Sequence, residues 1–365
     1  MPASSLNKNW IQFEGDKVSY KDFIFNYRNE GDKLLKTVAD FILNWESDDS
    51  YISQKTSGST GNPKSIQISK ERLKASARAT ITTLGLKAND HALLCISPEY
   101  IGGKMMIVRA IMGGLNLSIA PISGNPLQHY KMEDAIDFFS FVPYQFERIL
   151  DESHKEIEFL DNSKAIILGG APVSDSLALK IKAKLLKTKV FSTYGMTETV
   201  SHVALKWINS KKDEAFKALE NIKFSVDERN CLIIHAPEIS GQDTLITNDV
   251  VDLISPTEFQ WLGRYDFVIN SGGIKIHPEI LEKEIAVLFE KANISNRFFL
   301  FGLADEKFGE SVNLALEGKY DLENILKLLK QNLKAFHTPK KVFAIDKFIE
   351  TETGKINRVK TIEKI

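Results

Sequence analysis

Residues 51–69 read YISQKTSGSTGNPKSIQIS, and how this stretch is read decides between two folds. A phosphate-cradling P-loop needs G-x-x-x-x-G-K-[ST] running from a strand straight into a helix. Gly58 stands at the right distance before Lys64 and Ser65, but Pro63 takes the place of the second glycine. Pro63 removes one N–H and fixes its own φ, which argues against a P-loop nest. The flanks YISQK and SIQIS alternate in polarity and predict strand, loop, strand. Gly58 and Gly61 let backbone N–H groups approach an anion closely. Thr56, Ser57, Ser59 and Thr60 add hydroxyl donors, and Lys64 adds a mobile positive charge. Alone, the stretch reads equally as a polar turn or as a hairpin that grips phosphate.

Working outward, a helix is expected from about Lys70, with Ser69 as N-cap and Leu73, Ala77, Ile81 and Leu84 facing inward. Upstream, after a short polar lead, DKLLKTVADFILNWE places Leu34, Leu35, Val38, Phe41, Ile42 and Trp45 on one helical face. From about 90 to 205 the apolar runs HALLCIS, LNLSIA, AIDFFSFV, AIILGG and KVFSTYG alternate with helical segments. That alternation predicts a parallel or mixed sheet covered by helices. Over 205–262, NIKFSVDERNCLIIHAP, DTLITNDVVDLIS and EFQWLG predict a small antiparallel, barrel-like part. The expected fold class is therefore α/β, with a large domain over 1–263. Residues 264–365 then form a small α+β domain, with a strand pair, the helix HPEILEKEIAVLFEKA, the strand NRFFLFGLAD, the helix DLENILKLLKQNL and the strand KVFAIDKFI.

The 365 residues, 43% hydrophobic and 26% charged, suit a two-unit globular chain with a sizeable core. A net charge of −1 gives no bulk pull toward nucleic acid or anionic membrane. Cys95 and Cys231 lie far apart in apolar runs, which favours buried thiols over a disulfide framework. MPASSLNKNW lacks an apolar signal core and no run reaches bilayer length, so no membrane insertion and a cytoplasmic location are expected.

Four further stretches carry chemistry. FSTYGMTETVSH (191–202) follows an apolar strand, where ligands gather in open α/β sheets. Tyr194 offers a flat face for a base, Thr197 a hydroxyl for a phosphate, and Glu198 a hard oxygen for Mg²⁺. ILGGAPVS (167–174) ends in Gly169-Gly170, a tight turn or a bare backbone surface for a planar ring. TNDVVDLI (247–254) supplies Asp249, and WLGRYDFVINSGGIKIHPEI (261–280) supplies Arg264 and Asp266. These charges suit ribose and phosphate oxygens, or form a surface pair. TETGKINR (351–358) places Lys355 after Gly354. Each reads singly as a turn or a solvated charge.

Together and in this order, the five stretches resemble the acyl-adenylate-forming superfamily over about residues 50–360. That superfamily comprises acyl- and aryl-CoA synthetases, luciferases and peptide-synthetase adenylation domains. TSGSTGNPK is similar to its phosphate loop, YGMTET to its adenine and Mg²⁺ motif, and TND to its usual TGD. GRYDFVINSGG resembles its hinge motif and TGKINR its catalytic-lysine motif. The resemblance implies ATP, Mg²⁺ and coenzyme A as cofactors and a small-molecule carboxylate as substrate. Thr56, Ser57, Gly58, Ser59, Thr60, Gly61 and Lys64 would hold the β,γ-phosphates. Gly169, Gly170, Ala171, Tyr194 and Gly195 would enclose adenine, while Asp249 and Arg264 bind ribose. Thr197 would meet the α-phosphate, Glu198 the metal, and Lys355 the carboxylate and α-phosphate during attack. Asp266 matches the hinge on which the carboxy-terminal domain would move, and Ser271–Glu279, with Gly272 and Gly273, would line the thiol's path.

Within the superfamily, SGGIKIHPEIL and YGMTETVSH most resemble the o-succinylbenzoate–CoA ligase subgroup of menaquinone biosynthesis, which carries YGMTET-x-S-[QH] runs. An aromatic dicarboxylate calls for a cation near its pocket. Lys104 and Arg109 are the candidates, with Ser201 and His202 on the wall, although Arg109 reads equally as a helix-surface residue. Two departures stand out. Only 55 residues precede Thr56, which implies a reduced amino-terminal subdomain and leaves a homodimer open. Tyr100 is followed by Ile101, where relatives often place a His. The competing readings are another aryl- or fatty-acyl-CoA ligase, a carrier-protein-loading enzyme, and a non-catalytic adenylate-binding protein.

Overall fold

The computed structural model describes residues 9–29, 31–55, 65–152, 154–212, 215–350 and 356–365. The expected phosphate-loop residues Thr56, Ser57, Gly58, Ser59, Thr60, Gly61 and Lys64, together with Lys355, lie outside them. The stem of that loop is present: Tyr51–Lys55 and Ser65–Ser69 pair antiparallel, with Lys55 opposite Ser65. Ser69 then caps the helix Lys70–Leu84, its hydroxyl accepting from the Arg72 N–H. The stretch is therefore carried on a two-stranded hairpin before the helix begins.

A 13-stranded sheet organises most of the chain. Trp10–Phe13, Asn116–Ile119, His91–Leu94, Phe138–Phe141, Ala165–Leu168 and Lys189–Gly195 run parallel as successive neighbours. Alternate residues of these strands enter different cores. Ala92, Leu94, Phe138 and Ile167 pack on one face, and Leu93, Phe139, Phe141, Ile166 and Leu168 on the other. Helices Lys33–Glu46, Lys70–Leu84 and Ile101–Gly113 cover the first face; Pro143–Glu152 and Asp175–Lys184 cover the second. Burial on both faces is why these strands read as continuous apolar runs.

The antiparallel strands expected over 205–262 continue the same sheet. His202–Trp207 pairs with Lys189–Gly195, and the sheet proceeds through Phe216–Ala218, Glu258–Arg264, Leu245–Ser255, Cys231–His235 and Lys223–Val226. A separate five-stranded sheet holds Ile269–Ser271, Ile274–Ile276, Phe298–Asp305, Gly309–Glu317 and Lys341–Ile345. Helices Pro278–Lys291 and Leu322–Asn332 pack Ile285, Phe289 and Leu329 against its Leu314 and Leu316.

Two parts go beyond the sequence expectations. The amino-terminal lead forms a hairpin, Trp10–Phe13 with Asp16–Ser19, followed by the helix Tyr20–Tyr27, whose Tyr20 and Phe23 are buried. Gly309–Glu317 was not anticipated, although it pairs with strands on both sides and contributes Val312, Leu314 and Leu316 to the core. Among the described residues no helix is long and apolar enough to cross a membrane.

Candidate active site

The corner between Lys189–Gly195 and His202–Trp207 organises the site. Gly195 is required there because a Cβ would collide with the backbone of Ser201 and His202. The pairing slips by one residue between His202 and Ala204, a bulge that increases the local twist. A short 3₁₀ turn, Thr197–Thr199, fills the corner, with the Thr199 hydroxyl accepting from the Met196 N–H at 3.0 Å and donating to the Ser201 carbonyl at 2.7 Å. Val200 follows at φ 63°, ψ −52°, a strained conformation for a β-branched residue, and it is buried. Arg72 braces the turn from outside, donating from Nη2 to the Glu198 carbonyl and from Nε to the Ile239 carbonyl, both at 2.6 Å. The side chains of Thr197 and Glu198 are left exposed at the carboxyl end of the strand.

On one side of the corner the structure joins Tyr194, Asp249 and Arg264. Asp249 and Arg264 are direct cross-strand partners. The Tyr194 hydroxyl donates to Asp249 Oδ2 at 2.7 Å, and Trp261 Nε1 donates to Oδ1 at 3.2 Å. Arg264 Nη1 lies 3.7 Å from the same carboxylate, while Nη2 pairs with Asp266 at 2.9 Å. The Tyr194 ring packs against Phe216 and Phe259. Burial, reinforced by the Asp249 charge, pushes the Tyr194 phenol well above its usual range, so it stays a donor. Gly169, Gly170 and Ala171 end the neighbouring strand Ala165–Leu168. The Gly169 N–H donates to the Phe141 carbonyl at 3.0 Å, and a Cβ there would come within 2.8 Å of Thr193 Oγ1. Bare backbone at Gly169 thus stands beside Tyr194, at the carboxyl ends of adjacent parallel strands.

On the other side, Arg109, Ser201 and His202 come together beneath the helices. Arg109 is only 1% exposed, which corrects the helix-surface reading: helix Ile101–Gly113 is packed on the sheet along this face. Its Nη2 donates to Ser201 Oγ at 2.9 Å, its Nε has no acceptor, and among the described residues no carboxylate pairs with it. Burial pulls its pKa down to about 9, yet a guanidinium remains charged at neutral pH. His202 bridges Ser201 and Thr80, with Nδ1 3.3 Å from Ser201 Oγ and Nε2 3.2 Å from Thr80 Oγ1. Burial and the nearby Arg109 charge hold its pKa well below the ordinary 6.5.

Lys104 is separated from this group. Its Nζ donates to the Ser53 carbonyl at 2.9 Å and to Gln54 Oε1 at 2.7 Å, on the strand that leads into the glycine-rich loop. Helix periodicity explains the split, since residues five apart do not share a face. Tyr100, where relatives' His would follow, is exposed just ahead of that helix.

At the junction with the small sheet, Asp266 lies in the 3₁₀ turn Tyr265–Phe267 and accepts from Asn248 Nδ2 at 3.3 Å as well as from Arg264. Gly272 and Gly273 form the exposed turn between Ile269–Ser271 and Ile274–Ile276. Glu279 accepts from the Arg264 N–H at 3.3 Å, and burial raises its pKa. Arg358, from the stretch TETGKINR, lies over the Phe267 ring at 5.0 Å and pairs with Glu282 at 2.8 Å. The chain flanking Lys355 is thereby anchored beside the junction. Sequence reasoning missed Trp261, Thr80, Arg72 and Asn248. Trp261, immediately before Leu262-Gly263-Arg264, was the one most open to detection.

Comparison with known proteins gives a consistent result. A family model described as AMP-binding enzyme matches residues 16–228. A 2-succinylbenzoate–CoA ligase of Listeria monocytogenes is 26% identical over 333 residues, covering 85% of this chain and 69% of that protein. A solved acyl-CoA synthetase (AMP-forming)/AMP-acid ligase II-like protein from Dyadobacter fermentans is 34% identical, with a TM-score of 0.64, covering 93% of this chain and 97% of that one. The o-succinylbenzoate CoA synthetase of Bacillus subtilis, solved with its acyl-adenylate intermediate, shares the fold at a TM-score of 0.71 and 22% identity, covering 84% of this chain and 68% of that one.

Proposed function

This chain belongs to the AMP-binding enzyme family and is an AMP-forming acid–CoA ligase, and we propose that the acid is an aromatic dicarboxylate, o-succinylbenzoate. The observation that carries the choice is Arg109, a buried cation with no carboxylate partner among the described residues and a free Nε. An unpaired buried charge is costly unless something opposes it, and a second carboxylate on the acid would do so. Ser201 would fix the direction from which that carboxylate approaches.

The chemistry has two steps. The reacting carboxylate attacks the α-phosphorus of ATP and pyrophosphate leaves; the thiol of coenzyme A then attacks the acyl carbon and AMP leaves. Tyr194 and the Gly169–Ala171 backbone would sandwich adenine. Asp249 and Arg264 would take the ribose hydroxyls, Asp249 exchanging its Tyr194 or Trp261 bond for them. Thr197 would meet the α-phosphate. The residues fit a phosphate-borne Mg²⁺: Glu198 is exposed at the carboxyl end of its strand and offers such an ion a hard carboxylate oxygen. When bound, that ion neutralises charge on the phosphates. We assign residues 264–365 to a mobile unit turning about Asp266, bringing Lys355 to the reacting carboxylate and then presenting Gly272 and Gly273 to the thiol. Two free, buried cysteines, ATP and coenzyme A suit a cytoplasmic enzyme.

Carboxylate-dependent ATP–pyrophosphate exchange over a panel of acids, followed by thioester detection, tests the assignment. Exchange with o-succinylbenzoate but not benzoate is expected, and exchange confined to long-chain fatty acids would overturn it. A different acid is the second reading, because the 34% identical Dyadobacter protein is named for no particular one. Lys355→Ala is expected to lose adenylation far more than thioester formation from preformed acyl-adenylate.

A further inference from the structure

The hydrogen bonds behind Arg109 run in one direction. Thr80 Oγ1 donates its single proton to the Ser76 carbonyl at 3.0 Å, so toward His202 it can only accept. His202 Nε2 must therefore carry a proton. At the other end, Ser201 Oγ accepts from Arg109 Nη2, which leaves the Ser201 proton free to go to His202 Nδ1. The Thr80 end requires one tautomer, Nε2 protonated and Nδ1 an acceptor, and the Ser201 end accommodates it. Thr80 and Ser76 are fully buried and His202 is 5% exposed, so water is not available to replace these partners. Among the described residues, the charged group facing His202 from the helices and strand packed on it is Arg109. A second proton on the ring would set two cations side by side and reverse the Ser201 bond, leaving its hydroxyl proton without the ring acceptor.

We infer that His202 is a positioning residue: its neutral ring, protonated on Nε2, holds Ser201 as the acceptor that aims Arg109 at the distal carboxylate of the acid. The inference rests on the reading of Arg109 given above. It concerns a side chain that touches neither ATP nor the reacting carbon, so its effect falls on binding of the acid.

The test compares His202→Leu, His202→Gln and Arg109→Lys in ATP–pyrophosphate exchange, with nitrogen NMR of the wild-type ring. Leu offers no polar atom, whereas Gln offers an acceptor oxygen and a donor nitrogen able to bridge Ser201 and Thr80. His202→Leu is expected to raise KM for the dicarboxylate about tenfold or more, with kcat and the KM for ATP within about twofold, and His202→Gln to restore most of the loss. Equal damage in Leu and Gln, or a fall in kcat with KM unchanged, would mark a merely structural residue and overturn the proposal. So would a wild-type ring protonated on Nδ1, whatever the acid. If Arg109→Lys raises the KM while His202→Leu does not, only the positioning role falls. If Arg109→Lys changes nothing, the substrate reading falls instead, and the NMR tautomer still decides the direction of the chain.

Discussion

The two sides of the Gly195–Ser201 corner handle charge in opposite ways. On the Tyr194 side a buried anion, Asp249, already accepts from two neutral donors and has Arg264 close by. On the Ser201 side a buried cation, Arg109, has one neutral acceptor and, among the described residues, no anion. The first arrangement is complete before any ligand arrives, so it adds stability and keeps Tyr194 upright. The second is incomplete, so it lowers stability, and on the reading proposed above the acid completes it. Burial is similar on both sides, and partnership separates a structural charge from one held in reserve.

The largest expected effect comes from breaking the complete side. Asp249→Ala strands the Tyr194 hydroxyl and the Trp261 N–H, and should lower kcat/KM for ATP by about a hundredfold while lowering the unfolding midpoint. An unchanged midpoint would show that these donors find water, and the contrast would weaken. On the incomplete side the two signs should separate. Arg109→Met is expected to raise the dicarboxylate KM about ten- to a hundredfold and yet to stabilise the fold by about 1–4 kcal/mol. A variant that loses both would show Arg109 to be structural.

Acid should affect the same side next. His202 in the folded chain refuses a proton that the unfolded chain takes up below about 6.5, so its share of stability is intact above that value and falls as pH drops through it. The stability difference between wild type and His202→Gln should therefore shift against the wild type by up to about 1.4 kcal/mol per pH unit below 6.5. Paired denaturant titrations at neutral and acidic pH measure this, and parallel curves would contradict it. The smallest effect is expected at the exposed junction. Asn248→Ala removes two long hydrogen bonds, one to Asp266 and one from Arg229, and should change stability by no more than about 0.5 kcal/mol. A larger change, or a shifted balance between the two half-reactions, would give those contacts a role in domain movement.

The sequence made the parallel strands easy to find because they are covered on both faces; HALLCIS and AIILGG contain little that is not buried. The hairpin around the glycine-rich loop was equally readable from Pro63 and the alternating flanks, and its stem pairs as expected. Gly309–Glu317 was harder to see, because ESVNLALE mixes polar and apolar residues between two better-marked elements. The candidate site was legible where its residues sit in contiguous motifs, such as Tyr194 through Glu198. It was not legible where partners meet across the fold. Arg109 and Ser201 are 92 residues apart, Thr80 and His202 are 122 apart, and no local pattern announces either bond. The burial of Arg109 was likewise invisible, since an arginine in a helix is usually solvated.

The one-residue slip at His202 has a consequence for how such a pocket changes over generations. Because strand side chains alternate faces, deleting Val203, the residue the pairing skips, would cancel the slip and change the face that His202 presents. Ser201 would lose its His202 partner, although Arg109, Ser201 and His202 would all still be encoded. If this corner sets the choice of acid as proposed above, substitutions in it would retune that choice by degrees, whereas a change of length would abolish it in one step.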